Sequence, residues 1–136
     1  MKTQFFWPVR VYYEDTDAGG VVYYANYLKF FERARTERLR ALGFEQDELR
    51  SAFGVLFAVR SAEVDYLRPA RFNDSLSVTA EVSELKRASM AFTQQILRAE
   101  GEILCAARFR IVCLTEGEFR PAAIPGPLLQ RIKDVL

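Results

Sequence analysis

The chain has 136 residues, half of them hydrophobic and 13% aromatic, with 19 Lys plus Arg against 18 Asp plus Glu, for a net charge of +1. That length and apolar content suit one domain over 1–136 with its own core, and the balanced charge gives no ground for a nucleic-acid partner. Histidine is absent, which excludes a Ser-His-Asp triad, a Cys-His pair and the usual zinc hydrolase sites, and leaves acid–base work to Asp, Glu, Tyr or Lys.

At the N-terminus, Phe5-Phe6-Trp7 is interrupted by Pro8 and followed by Arg10, so no secretory apolar region forms. No stretch approaches the ~20 apolar residues of a membrane span. A cytoplasmic location is the expectation. Val9, Val11 and Tyr13 alternate with Arg10 and Tyr12, the period of a half-buried strand over Phe5 to Tyr13. Asp15-Thr16-Asp17 and Gly19-Gly20 then stop it, since Gly tolerates positive φ.

Asn26 is placed to N-cap a helix running from Tyr27 to Leu42, with Gly43 as its stop. Tyr27, Leu28, Phe30, Phe31, Ala34, Leu39, Ala41 and Leu42 give this helix a broad apolar face, so it expects cover on most sides. Arg35 and Arg38 fall within that face and are expected to snorkel, or to pair with a carboxylate such as Glu32 or Asp65. A short helix follows over Glu45 to Ala52, broken at Phe53-Gly54.

Four strands complete the pattern. Val55 to Leu67 is closed by Arg68-Pro69. Leu76, Val78, Ala80 and Val82 alternate with polar neighbours. Met90 to Ala99 and Ile103 to Leu114 are joined through Glu100-Gly101-Glu102. Cys105 and Cys113 lie on that last strand, roughly 26 Å apart at ~3.3 Å per residue, too far for a disulfide. They share parity with Ile103, Ala107, Phe109 and Ile111 and read as buried filler. Pro121 to Leu136 reads as a connector and a short amphipathic helix. One long helix among five strands is an α+β arrangement.

The stretch from Asp15 to Tyr27 carries the chemistry. It places carboxylates, a glycine pair and a helix N-terminus together. Unpaired helix N–H groups can stabilise an oxyanion, and a carboxylate beside them can attack a carbonyl or deprotonate water. An acidic turn that merely caps the helix and binds its own amides accounts for the same residues.

Asp15-Thr16-Asp17-Ala18-Gly19-Gly20-Val21-Val22-Tyr23-Tyr24-Ala25-Asn26-Tyr27, followed by Phe31-Glu32-Arg33-Ala34-Arg35, resembles the signature of the 4-hydroxybenzoyl-CoA thioesterase family. Val11 to Tyr23 is most similar to its Tol–Pal-system-associated acyl-CoA thioesterases, and Val64-Asp65-Tyr66-Leu67-Arg68-Pro69-Ala70 with Asp74 extends the match over nearly the whole chain. The resemblance implies a hot-dog fold, an antiparallel sheet of about five strands wrapped around one central helix. It implies hydrolysis of short-chain or aromatic acyl-CoA, with acyl carrier protein as an alternative carrier. A third reading is a non-catalytic acyl-CoA-binding subunit linked to the cell envelope or phospholipid synthesis.

By the same resemblance, Asp17 matches the catalytic carboxylate, acting as nucleophile or as general base. Tyr24 holds the position whose backbone N–H points at the thioester oxygen. Tol–Pal-associated relatives usually carry His there, and Tyr is the residue of the benzoyl-type branch. Tyr13 matches a tyrosine near the site, although an inward-facing strand aromatic explains it equally. Asp15 and Glu14 are expected to hold the loop. No cofactor or metal is implied, since CoA is part of the substrate. Sites in such proteins form at a subunit interface, so a homodimer or homotetramer is expected.

Overall fold

The computed structural model describes residues 4–136, and residues 1–3 of the expected domain lie outside the described residues. Strand β1 (Phe6–Arg10) is shorter than its alternation predicts. It runs antiparallel to β3 (Ser75–Thr79), with Val9 opposite Leu76. Past Arg10 the ladder gives way to single bonds: the Val11 N–H donates to the Asp74 carbonyl, and the Asn73 N–H to the Val11 carbonyl. Residues Tyr13–Asp15 then wind into one 3-10 turn. Tyr13 is therefore not an inward strand aromatic. It is 75% exposed and stacks flat on Phe72 at a centroid distance of 3.9 Å.

Helix α1 (Asn26–Ala41) begins one residue before the expected start, and Asn26 does not cap it. Its side-chain amide donates instead to the Asp15 carbonyl, tying the helix to the loop. The other end follows expectation. Gly43, at φ 97°, donates to the Arg40 carbonyl while Phe44 donates to that of Leu39, the paired closure that a left-handed residue permits. Tyr27, Phe30, Phe31, Ala34, Arg35 and Leu39 are buried, but Leu28 and Ala41 are exposed. The covered stripe is thus narrower than the apolar face, because the sheet wraps α1 on one side only.

Helix α2 (Gln46–Phe53) closes on Gly54 at φ 67° and leads into β2 (Val55–Tyr66). The sheet has six strands where about five were expected. The run Leu76 to Val82 divides at Ala80 into β3 and β4 (Glu81–Leu85); the register of β3 against β5 (Ser89–Arg98) continues through Val82 and shifts by one residue before Glu84. At the break side chains replace ladder bonds: the Gln95 N–H donates to the Thr79 hydroxyl, and the Gln94 amide to the Thr79 carbonyl. Strand β6 (Glu102–Thr115) pairs with β5 and β2, giving the order β1-β3-β5-β6-β2. This is one long helix on the concave face of an antiparallel sheet, as the resemblance implies.

Helix α1 packs across β1, β3 and β5, and reaches β6 where Phe31 and Arg35 lie on Phe109. It leaves much of the edge strand β2 uncovered. Residues 59, 62, 64 and 66 of β2 sit on the inner face opposite buried positions of β6, yet Val59 is 51% and Tyr66 47% exposed. Helix α3 (Gly126–Val135) buries Leu128 and Ile132 against the domain, as the tail pattern predicts. Cys105 and Cys113 are buried free thiols. Among the described residues no helix is long and apolar enough to cross a membrane.

Candidate active site

Asp15 is the hub of the acidic loop. Its side chain is buried, and Oδ2 accepts the Tyr12 N–H at 2.8 Å. Its carbonyl accepts both the Tyr23 N–H and the Asn26 side-chain amide at 2.9 Å. Every one of these bonds fixes the entry to α1, so Asp15 holds the loop as its position suggests.

Asp17 is placed differently. Its backbone closes a tight turn: the N–H donates to the Val21 carbonyl at 2.9 Å and the carbonyl accepts the Gly20 N–H at 3.0 Å. Gly20 has φ 80°, a conformation glycine takes without a Cβ penalty. The Asp17 carboxylate is exposed, and only Oδ1 is used locally, accepting the Gly19 N–H at 2.8 Å. A Cβ on Gly19 would stand 3.2 Å from that oxygen, so the glycine makes room for the carboxylate. The result is an acid with one oxygen tethered and the other free.

A second segment braces the turn. The Val22 N–H donates to the Ala70 carbonyl at 2.8 Å, and Val21 bridges Arg71. The Ala70 N–H donates to the Tyr27 hydroxyl at 2.9 Å, which joins the brace to α1. The brace is anchored by Asp74, whose Oδ2 accepts the Arg71 N–H and an Arg98 guanidinium N–H, both at 2.9 Å. Arg98 also binds Glu102 through both carboxylate oxygens. Ala70 and Asp74 fall within the family resemblance, whereas Arg98 belongs to no motif in the sequence. Its one signal is an arginine at a strand end, four residues from Glu102.

Where α1 begins, the Tyr24 N–H has no protein acceptor among the described residues. The Tyr24 ring stands edge-on to Tyr66 at 6.1 Å, and Tyr27 lies 5.5 Å from Tyr66. Together with Val22, Leu67 and Arg68 these rings line a cavity of about 270 Å³. Burial raises the phenol pKa values of Tyr27 and Tyr66 above the ordinary 10, so both hydroxyls stay protonated at neutral pH. Tyr13 lines a different cleft, with Arg10, Tyr12, Glu14, Phe72 and Asn73. Asp17 lines neither. The single chain thus brings Tyr24, Tyr27 and Tyr66 together and sets Tyr13 apart.

A long helix on the concave face of a wrapped antiparallel sheet is the hot-dog architecture, with the acidic turn at the helix start as its candidate site. Comparison with known proteins agrees. The model of the thioesterase-like superfamily matches residues 11–132. The acyl-CoA thioester hydrolase YbgC of Escherichia coli is 47% identical over 131 residues, 96% of this chain and 97% of that protein. The acyl-CoA thioesterase YbgC of Haemophilus influenzae is 48% identical over 121 residues, 89% of this chain and 88% of that protein. A probable thioesterase from Bartonella henselae superposes with a TM-score of 0.85 at 37% identity, covering 90% of this chain and all of that one. The chain belongs to the thioesterase-like superfamily.

Proposed function

We propose that the protein hydrolyses the thioester of acyl-CoA to a free acid and CoA. Membership of the superfamily and the names of its YbgC relatives support the reaction. The observation that carries the site is the Asp17 turn, which tethers one carboxylate oxygen and leaves the other free, seven residues before the unpaired Tyr24 N–H in the chain. A thioester carbonyl oxygen held by that N–H would gain charge in the transition state where an N–H dipole stabilises it. Asp17 then attacks the carbonyl carbon or takes a proton from the attacking water, and the thiolate of CoA departs and is protonated; in the first route water then cleaves the acyl-aspartyl anhydride to the free acid and restores Asp17.

The working unit in this proposal is at least a dimer. The inner face of β2 is apolar and open at Val59, Ala62 and Tyr66, and among the described residues the outer edge of this 12-residue strand has no partner strand. A second copy adding its own β2 about a two-fold axis satisfies that edge and roofs the groove beside α1. Pairing of dimers into tetramers and association with the Tol–Pal system belong to the same proposal, and acyl carrier protein is the alternative carrier.

Release of free thiol from short aliphatic, long aliphatic and benzoyl-type CoA esters, with acyl carrier protein thioesters as a second arm, tests the reaction. Hydrolysis of at least one CoA ester supports it. Binding without hydrolysis of any thioester replaces it with an acyl-CoA-binding role. Light scattering that finds only monomer at micromolar concentration removes the dimer.

A further inference from the structure

Residues 67–74 join β2 to β3 as a loop with no strand or helix of its own. The loop nonetheless supports both parts of the candidate site. The Ala70 carbonyl accepts the Val22 N–H and Arg71 bridges Val21, which holds the closing side of the Asp17 turn. The Ala70 N–H donates to the Tyr27 hydroxyl in the first turn of α1. A shift of Ala70 is therefore felt by the turn and the helix together.

Bonds to the flanking strands impose the path of this loop. Asn73 sits at φ 70°, a conformation that costs a non-glycine residue energy and persists where the surroundings enforce it. From β1, Val11 accepts the Asn73 N–H and Arg10 donates to the Asn73 carbonyl, both at 2.9 Å. From β5 the support is Arg98. Its Nη1 donates to the Pro69 carbonyl at 3.2 Å and to Asp74 Oδ2 at 2.9 Å, so one nitrogen joins residues on either side of Ala70 and Arg71. Asp74 Oδ2 also accepts the Arg71 N–H at 2.9 Å.

The other end of the guanidinium is fixed as well. Nη2 donates to both carboxylate oxygens of Glu102, the first residue of β6, which anchors Arg98 on the β5–β6 hairpin. The side chains of Arg98, Asp74 and Glu102 are all partly buried, so water and salt screen them less than a pair on open surface. A guanidinium presents its donors in one rigid plane and meets these four oxygens at once, a geometry that the ammonium of lysine does not match.

We infer that Arg98 is a positioning residue for hydrolysis: by clamping Pro69 to Asp74 it fixes Ala70, and through Ala70 it holds the Asp17 turn and Tyr27 in place. This rests on the thioesterase reading, and one arm of the test is independent of it. Arg98→Met, Arg98→Lys and Glu102→Gln are compared with the wild type by kcat, KM and Tm on the best acyl-CoA ester. Hydrogen exchange of the Val22 amide, followed by NMR, reads the turn without any substrate. Arg98→Met should lower kcat roughly tenfold to a hundredfold, the scale of a displaced catalytic group, with KM changed less than about twofold. Val22 exchange should accelerate roughly tenfold in the same variant. Arg98→Lys should recover part of both. Glu102→Gln leaves the bonds from Arg98 to the loop and should keep kcat within about twofold whatever its Tm.

Wild-type kcat and Val22 exchange in folded Arg98→Met overturn the inference. So does a fall in kcat that Glu102→Gln reproduces in proportion to its loss of Tm, since stability alone then accounts for it. Where Arg98→Met does not fold, Arg98→Lys decides: intermediate kcat and exchange support the clamp, and wild-type values of both overturn it. A wild type that hydrolyses no thioester overturns the thioesterase reading. Val22 exchange then still tests Arg98, because acceleration in Arg98→Met supports the clamp and unchanged exchange overturns it.

Discussion

Replacing Gln94 by Leu removes the polar link between α1 and the middle of the sheet while nearly conserving volume. The side chain is fully buried and makes three bonds, to Arg35 Nη1 at 3.0 Å, the Phe31 carbonyl at 3.1 Å and the Thr79 carbonyl at 2.9 Å. The Phe31 carbonyl keeps its place in the helix ladder, so little is lost there. The Thr79 carbonyl and the guanidinium are left without a protein partner. At about 1 kcal/mol for a neutral buried group and about 2 kcal/mol for a charged one, Gln94→Leu should cost roughly 3 kcal/mol. For a domain of this size that corresponds to a fall in Tm of roughly 10 °C. Urea denaturation followed by circular dichroism measures it, with a lower midpoint and an unchanged slope as the expected signature. A loss below about 1 kcal/mol would refute the reasoning, because Arg35 would then be satisfied without Gln94.

The glycine pair separates activity from stability. Gly20→Ala forces a Cβ onto φ 80° in open space and should cost about 1 kcal/mol; Gly19→Ala crowds Asp17 Oδ1 by a few tenths of an ångström and should lower kcat roughly threefold to tenfold with little change in Tm. Equal effects on both measurements for both variants would contradict the assignment. On the acid side, Arg98 lowers the Glu102 pKa below its ordinary 4.5, and Lys86 with Arg110 does the same for Glu84. Their contribution is present above pH 4.5 and lost as pH falls through the lowered values; the urea midpoint should therefore decline below pH 4.5, less steeply in Arg98→Ala. On the alkaline side, burial pushes the Cys105 thiol up to about 12, so its share of stability holds below pH 9 and drains away between 9 and 12. An aromatic disulfide reagent at pH 8 should label Cys105 no faster than the protein unfolds.

Much of the fold was legible because its signals are local. The period-two runs in β5 and β6, the Gly43 and Gly54 stops and the amphipathic tail each declare themselves within a few residues. What was misread depends on distant partners. Tyr13 continues the strand alternation but leaves the sheet, because Asn73 and Asp74 replace the next ladder rung. Asn26 has the right chemistry for a cap, and its amide is drawn instead to the Asp15 carbonyl. Ala80 keeps perfect alternation, yet the ladder breaks there because the Gln94 amide donates to the Thr79 carbonyl and the Thr79 hydroxyl accepts the Gln95 N–H.

The site was legible as a motif and less so as a geometry. Asp17, the glycine turn and the free Tyr24 N–H follow from one continuous stretch. The brace from Ala70 to Asp74 and its anchor Arg98 depend on contacts far apart in sequence. Arg35 was expected to snorkel or to pair with a carboxylate, and it bonds Gln94 instead. The signal for that was a glutamine sharing parity with Phe92 and Ile96 on an otherwise apolar strand face.

The central claim is that the free oxygen of Asp17 drives hydrolysis, and the most direct measurement is thiol release by Asp17→Asn beside the wild type on the best acyl-CoA ester. The substitution keeps the side chain's shape and an oxygen to accept the Gly19 N–H, so the fold, checked by circular dichroism and Tm, should be unchanged. The account predicts that kcat falls by roughly 100- to 10,000-fold with the substrate still bound. A folded Asp17→Asn protein that retains wild-type kcat would contradict it, and the catalytic carboxylate would have to be sought elsewhere.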